Sequence, residues 1–126
     1  MDTYEAHKSH YQHYHKKPVM KTPPEPISLQ SVLDGVSEEE RQRLYDEYGV
    51  EGMAEIFSNE ELMNTVDCFL QNGMNVCLAA KKLYMHRNTL TYRLNKIRRV
   101  CGLDLRVFDM AVTFRILRVL YENKTR

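Results

Sequence analysis

The chain of 126 residues suits a single domain and can bury a modest hydrophobic core. Its hydrophobic fraction of 43% is ordinary for a soluble protein, and no stretch approaches the ~20 apolar residues that cross a membrane. The polar N-terminus shows no signal-peptide pattern, so these features argue against a membrane or secreted protein and predict a cytoplasmic one.

The net charge of +1 hides an uneven distribution along the chain. Between residues 34 and 67, eleven acidic residues stand against Arg41 and Arg43, which gives a local charge of −9. Between residues 81 and 106, eight lysines and arginines stand against Asp104 alone, which gives a local charge of +7. Concentrated positive charge attracts phosphate groups. The basic stretch is therefore a candidate surface for binding a polyanion. Basic residues that only keep helix faces solvated would give the same local charge.

Residues 1–33 are predicted to be a disordered tail or linker. Apolar periodicity is absent there, and such a segment cannot bury enough surface to offset its ordering entropy. Four prolines interrupt it: Pro18, Pro23, Pro24 and Pro26. A cluster of imidazoles alternates with tyrosines: His7, His10, His13 and His15 with Tyr4, Tyr11 and Tyr14. Clustered imidazoles can bind transition metals, but cysteine ligands are missing at the required spacing, and we predict neither a metal nor a cofactor.

Residues 34–126 are predicted to form an all-α bundle, because helical periodicity is present and no alternating strand pattern is. Ser37 has the capping-box pattern and begins a helix that Gly49 ends. A short helical stretch is expected over residues 50–57, and a second capping pattern at Ser58 begins the next helix. Its inward face is expected to comprise Leu62, Val66, Phe69 and Leu70.

A short helix, a tight connection and a longer helix are predicted within residues 75–101. Asn75 is expected to cap the first helix, and the small Ala79 and Ala80 let the second helix cross it closely. The second helix, over about residues 87–100, has an apolar stripe at helical spacing: Leu90, Leu94, Ile97 and Cys101. This arrangement is a helix-turn-helix.

Gly102 is a natural cap for the end of the long helix. Asp109 is expected to cap a last helix with four inward residues: Val112, Ile116, Leu117 and Leu120. Four residues of this helix are also the candidate dimer surface: Val112, Leu117, Leu120 and Tyr121. The three cysteines lack CxxC or zinc-finger spacing and are expected to be reduced core thiols: Cys68, Cys77 and Cys101.

Helical projection at ~100° per residue identifies the polar surface of the long helix. Nine residues are predicted to bind DNA: Arg87, Asn88, Thr89, Thr91, Tyr92, Asn95, Lys96, Arg98 and Arg99. Arg87 can bond bidentately to guanine and Asn88 to adenine. Thr89 or Tyr92 can contact a phosphate or a thymine methyl group. Three cations toward the carboxyl end are expected to bind phosphates: Lys96, Arg98 and Arg99.

This segment resembles the C-terminal helix-turn-helix of the PucR/CdaR family of bacterial transcriptional regulators. Its most specific part is the string HRNTLTYRL over residues 86–94, followed by GLDL over residues 102–105. The resemblance covers about residues 44–121 and implies that Arg87 lies at the start of the recognition helix. Tyr84 stands in the turn where many helix-turn-helix proteins have glycine, although an aromatic residue there suits this family. In that family the domain follows a sensory region and controls catabolic genes, and we expect no effector-sensing domain within the present 126 residues.

The leading hypothesis is a sequence-specific DNA-binding domain of a bacterial regulator. Double-stranded DNA is the expected partner, binding as a homodimer is expected, and the protein would be nucleoid-associated when bound. The alternative is a helical protein–protein interaction module, for which the acidic segment over residues 34–67 could meet a basic partner. We predict no enzyme, because no nucleophile has a base and an orienting acid at recognisable spacing.

Overall fold

The structure, a computed structural model, describes residues 25–124. Seven α-helices and no strands are present in that range. In chain order they are α1 (Leu29–Asp34), α2 (Glu38–Tyr48), α3 (Met53–Ser58), α4 (Glu60–Gln71), α5 (Val76–Lys82), α6 (Arg87–Cys101) and α7 (Phe108–Lys124). The predicted all-α bundle with a helix-turn-helix is thereby confirmed, whereas the histidine cluster and residues 1–24 lie outside the described residues.

The polar caps predicted from the sequence begin two of the helices. The Ser37 hydroxyl accepts a bond from the Glu40 amide at the start of α2, and the Asn75 side chain accepts one from the Leu78 amide in α5. Each such bond satisfies one of the amide groups that have no partner within the helix. The local pattern of capping residues therefore locates these helix starts correctly.

Two predicted caps are wrong. Asn59, and not Ser58, caps α4 by accepting from the amide of Leu62 at 3.0 Å. The Ser58 hydroxyl instead donates to the Glu55 carbonyl at the end of α3. Asp109 lies in the first turn of α7 rather than at its cap, because that helix already begins at Phe108.

The first helix corrects the predicted tail boundary at residue 33. Ser28 caps α1, and the Leu33 side chain is buried in the common core. Helix α1 packs against α7. A helix of six residues is too short to be stable alone. Packing against α7 therefore accounts for it, and the tail prediction missed it because no long apolar periodicity marks so short a helix.

The core forms around the short helix α3, which contacts α4, α6 and α7. Its largest fully buried side chains are Phe69, Phe114, Met53, Leu90, Leu94, Ile97, Leu105 and Val66. The rings of Phe57 and Phe114 meet edge to face, with 5.1 Å between their centroids. Such pairs add to the stabilisation that burial of the rings provides. The predicted inward stripe of α6 is confirmed, since all four of its residues are buried.

The predicted inward face of α7 is partly wrong. Ala111, Phe114, Leu117 and Leu120 are the buried residues of this helix. Val112 and Ile116 are only half-buried. The burial of Leu117 and Leu120 in the protein's own core removes them from the candidate dimer surface. Two candidates remain: Val112, and Tyr121, whose ring lies 5.4 Å from that of Phe57.

The three cysteines have different environments and are all free thiols. Cys101 is buried, as predicted, and burial raises the pKa of its thiol above the ordinary value. Cys68 is half-buried, and its sulfur lies 3.8 Å from the Ala79 carbonyl oxygen. Cys77 is exposed, so the prediction of a core thiol is wrong at this position.

Candidate nucleic-acid interface

Close packing of α5 against α6 builds the interface scaffold. Ala79 and Ala80 are buried at this crossing, which confirms the prediction that small residues stand there. A larger side chain at either position would push the two helices apart, because protein interiors are close-packed. The two alanines therefore fix how far α6 stands from α5.

The connection from α5 to α6 turns at Tyr84. Its amide donates to the Lys81 carbonyl at 3.2 Å, and the following Met85 amide donates to the Ala80 carbonyl at 3.0 Å. These are the two bonds of a Schellman motif, whose residue at this position is usually glycine. Tyr84 has a φ of 53°, in the left-handed region. That conformation costs a non-glycine residue roughly 1–2 kcal/mol.

His86 caps the long helix α6 through its ring. Its Nδ1 accepts from the Asn88 amide at 3.0 Å, while its backbone carbonyl accepts from the Thr89 amide at 2.9 Å. An imidazole nitrogen that accepts a hydrogen bond carries no proton, so the proton of the neutral ring lies on Nε2. The exposed ring of His86 thus ties the first turn of α6 to the preceding turn.

Replacement of His86 by alanine should lower the free energy of unfolding by about 0.5–2 kcal/mol, the usual effect of losing a side-chain cap. His86→Asn should retain most of the stability, because the asparagine oxygen can accept the same bond. Urea unfolding followed by circular dichroism measures both variants. Equal stability of the wild-type protein and the alanine variant would show that this cap does not stabilise the helix.

The residues predicted to contact DNA divide into two groups. Seven of them are exposed on α6: Arg87, Asn88, Thr89, Tyr92, Lys96, Arg98 and Arg99. Thr91 and Asn95 are half-buried. The Asn95 side-chain oxygen accepts from Arg106 Nη2 at 2.6 Å, so this oxygen takes part in the fold. Asn95 is therefore less available to a ligand than projection of the helix indicates.

Arg106 links the loop after α6 to the side of that helix. Its Nε lies 2.8 Å from a carboxylate oxygen of Asp104, and its other end donates to Asn95. The hydrogen bond from Arg106 holds the pKa of the Asp104 carboxyl below its ordinary value. The arrangement fastens residues 104–106 to the polar side of α6.

Arg93 is the residue of α6 whose role sequence reasoning missed. Its guanidinium donates to the Thr65 hydroxyl at 2.8 Å and to the Glu61 carboxylate at 2.9 Å. Both partners lie on α4, so Arg93 connects α6 to α4 beside the core. Glu61 and Thr65 are four residues apart on one face of α4, which is the only sequence signal that could have indicated a partner for Arg93.

Most cations of the basic stretch form no ion pair within residues 25–124. The ion pairs among residues 25–124 involve four arginines: Arg43, Arg93, Arg106 and Arg118. Six of the eight cations between residues 81 and 106 therefore have no ion pair in the described part of the chain, and these six are exposed. We call them the six unpaired cations: Lys81, Lys82, Arg87, Lys96, Arg98 and Arg99. The first two lie in the last turn of α5 and were not among the predicted site residues.

A cation–π contact orders part of the exposed surface of α6. The guanidinium carbon of Arg99 lies 5.6 Å from the centroid of the Tyr92 ring. Contacts of this kind contribute about 0.5–1 kcal/mol at exposed sites. The contact joins an aromatic ring and a cation that lie about two turns apart on the same side of the helix.

A family model matches residues 62–117, from α4 into α7, and its description is the PucR C-terminal helix-turn-helix domain. This segment is similar to the PucR domain over those residues. The resemblance predicted from the sequence is confirmed, and the family is one of transcriptional regulators.

Two curated relatives of the PucR domain carry names that describe regulators. The carbohydrate diacid regulator of Escherichia coli is 40% identical over 67 residues, which are 53% of this chain and 17% of that protein. The proline-responsive transcriptional activator PutR of Bacillus subtilis is 37% identical over 51 residues, 40% of this chain and 12% of that protein. The chain thus spans less than a fifth of the length of either relative.

A solved structure has a similar fold. The regulator of polyketide synthase expression from Bifidobacterium adolescentis superposes with a TM-score of 0.53 and 22% identity, over 85% of this chain and 46% of that chain. The similarity thus extends beyond residues 62–117 to most of the helices described above. Among residues 25–124, no helix is long and apolar enough to cross a membrane.

Proposed function

We propose that the PucR domain binds double-stranded DNA sequence-specifically, with the amino end of α6 in the major groove. One observation carries the proposal: α6 buries its whole apolar stripe and exposes Arg87, Asn88 and Thr89 at its first turn. A helix held in this way presents hydrogen-bond donors and acceptors to base edges without loosening the core. The family and the names of the two regulators support the same function.

Charge supports the proposal independently of shape. The six unpaired cations lie on α5 and α6, and none of them forms an ion pair within residues 25–124. Phosphate groups release bound counterions when they meet such cations, which makes affinity depend on salt. With six cations, the slope of log K against log salt can reach about −5 for each copy of the chain.

A binding titration tests this function. Fluorescence anisotropy of the full chain on labelled fragments of its own genomic neighbourhood should show a complex that weakens steeply with salt. Failure to bind any fragment, even at low salt, would contradict DNA binding. A salt-insensitive complex with a protein, and no complex with DNA, would support the alternative of a helical interaction module.

The proposal includes binding as a homodimer. Two recognition helices at half-sites one helical turn apart give a specificity that one helix rarely achieves. Since Leu117 and Leu120 are buried, the dimer surface must use other residues. Light scattering with and without DNA measures the mass, and a monomer in both conditions would count against pairing. Such a protein would reside in the cytoplasm and associate with the nucleoid when bound.

Arg99→Ala should weaken binding to all DNA sequences alike and make the salt slope shallower by about one unit. The reason is that Arg99, near the carboxyl end of α6, is proposed to neutralise one phosphate. Arg43→Ala is the matched control, because it removes an arginine from α2 that is exposed and paired with glutamates. A salt slope of Arg99→Ala equal to that of this control would exclude the phosphate contact.

A further inference from the structure

We propose that the side chain of Tyr84 is a DNA contact that adjoins the recognition helix, with its phenolic hydroxyl donating a hydrogen bond to a backbone phosphate. The inference rests on the proposed function and adds a residue of the turn to its contacts. Three observations carry it: the exposure of the ring, the backbone conformation beneath it, and its position between exposed cations.

The ring of Tyr84 does not pack against the protein core. The residue is 98% exposed, the most exposed of the large hydrophobic side chains in the described chain. Burial therefore cannot be the reason for an aromatic residue here, because truncating this ring would remove almost no packing contacts with the protein. An exposed phenol offers an apolar ring and a hydroxyl to a partner outside the protein.

The backbone of Tyr84 would favour glycine. The Schellman bonds place the residue at a φ of 53°, where glycine lacks the steric cost that a side chain brings. A residue that is strained and unpacked contributes nothing visible to the stability of the fold. Strain of this kind often marks a functional position, when an independent observation supports one.

The position of Tyr84 supplies that independent observation. Two residues separate it from Arg87, so its Cα lies within roughly 11 Å of the first residue of α6. Lys81 and Lys82, both exposed and in no ion pair within residues 25–124, stand just before it in the last turn of α5. The ring is thus flanked along the chain by cations on both sides. When the amino end of α6 enters the major groove, the turn that precedes it comes beside the phosphodiester backbone.

A phosphate is the partner whose chemistry fits this position. The phenolic hydroxyl donates to a phosphate oxygen, as tyrosines at protein–DNA interfaces commonly do. A phosphate contact carries no sequence information, so the contribution of Tyr84 should be equal on selected and unrelated DNA. The contact is neutral and releases no counterion of its own, so it should leave the salt slope unchanged.

The test compares Tyr84→Phe, which removes only the hydroxyl, and Tyr84→Gly, which also relieves the backbone. The matched control is Tyr48→Phe, since Tyr48 is 57% exposed on α2. Anisotropy titrations of the full chain use a duplex selected by the wild-type protein from a random library and an unrelated duplex. Both Tyr84 variants should bind both duplexes about three- to tenfold more weakly at an unchanged salt slope, and the control should bind like the wild-type protein.

Thermal unfolding is the second measurement. Tyr84→Gly should unfold at the same temperature as the wild-type protein or at a higher one, because it relieves strain and loses no packing. A lower melting temperature would assign the ring to the fold and overturn the inference. Wild-type affinity in both Tyr84 variants would also overturn it, and would leave the proposed function intact. If the wild-type chain itself binds neither duplex, that result contradicts the proposed function and not the contact of Tyr84 alone.

Discussion

Arg87→Ala is expected to remove about 1–3 kcal/mol of binding free energy on a selected duplex and to relax sequence preference at one base pair. Arg87 is the first residue of α6, it is exposed, and no acidic side chain within residues 25–124 pairs with it. Its planar fork can therefore reach the two acceptors of a guanine. Competition titrations with duplexes substituted at each position measure the preference.

The lysine variant separates the shape of Arg87 from its charge. Arg87→Lys retains the cation and its counterion release but loses the fork that bonds bidentately. We expect it to retain the salt slope and to lose sequence preference almost as fully as the alanine variant. At Arg99, where a phosphate contact is proposed, lysine should substitute well, because a point charge suffices there. Equal effects of lysine at the two positions would contradict the division between base reading and phosphate contact.

The sequence predicts those parts of the fold that depend on local pattern. The stripe of α6 recurs at helical spacing, and all of its residues are buried in the structure. The caps at Ser37 and Asn75 and the glycine after α6 follow from hydrogen bonds that span three or four residues. Information of this range is present in a single segment of sequence, which is why these features could be predicted.

Features that depend on distant partners could not be predicted in the same way. Arg93 finds its partners on α4, 28 and 32 residues earlier in the chain. Asn95 has a polar position by projection, yet its oxygen accepts a bond from Arg106, eleven residues later. Phe114 is fully buried on α7 because Phe57 lies against it. Each case is decided by which helices meet, and periodicity within one helix does not contain that information.

The same distant contacts remove two cations of the basic stretch from the candidate interface. A count of charge gives +7 between residues 81 and 106. Two of the cations in that count, Arg93 and Arg106, hold α6 against α4 and against the following loop. The Arg93 ion pair and the hydrogen bond from Arg106 to Asn95 fix the helix that presents the others. The candidate interface therefore holds fewer cations than the charge count implies.

Leu94→Ala is expected to have the largest effect on stability, a loss of about 2–5 kcal/mol in the free energy of unfolding. Leu94 lies at the centre of the α6 stripe and is 0% exposed. The substitution removes buried methyl groups and leaves a cavity between α6 and the rest of the core, since close-packed neighbours collapse only partly into the space. Urea unfolding measures the loss, and Leu78→Ala is the control, because Leu78 is 41% exposed on α5.

The effect of Leu94→Ala on DNA binding distinguishes a scaffold residue from a contact. Leu94 faces the core, so the folded fraction of the variant still presents Arg87 and Asn88 at the same end of α6. Affinity corrected for the folded fraction should then stay near that of the wild-type protein, in contrast to Arg87→Ala, which should bind weakly although fully folded. A loss of affinity in fully folded Leu94→Ala would show that α6 shifts when a buried side chain of its apolar stripe is truncated. The position of this helix on the core would then determine DNA recognition.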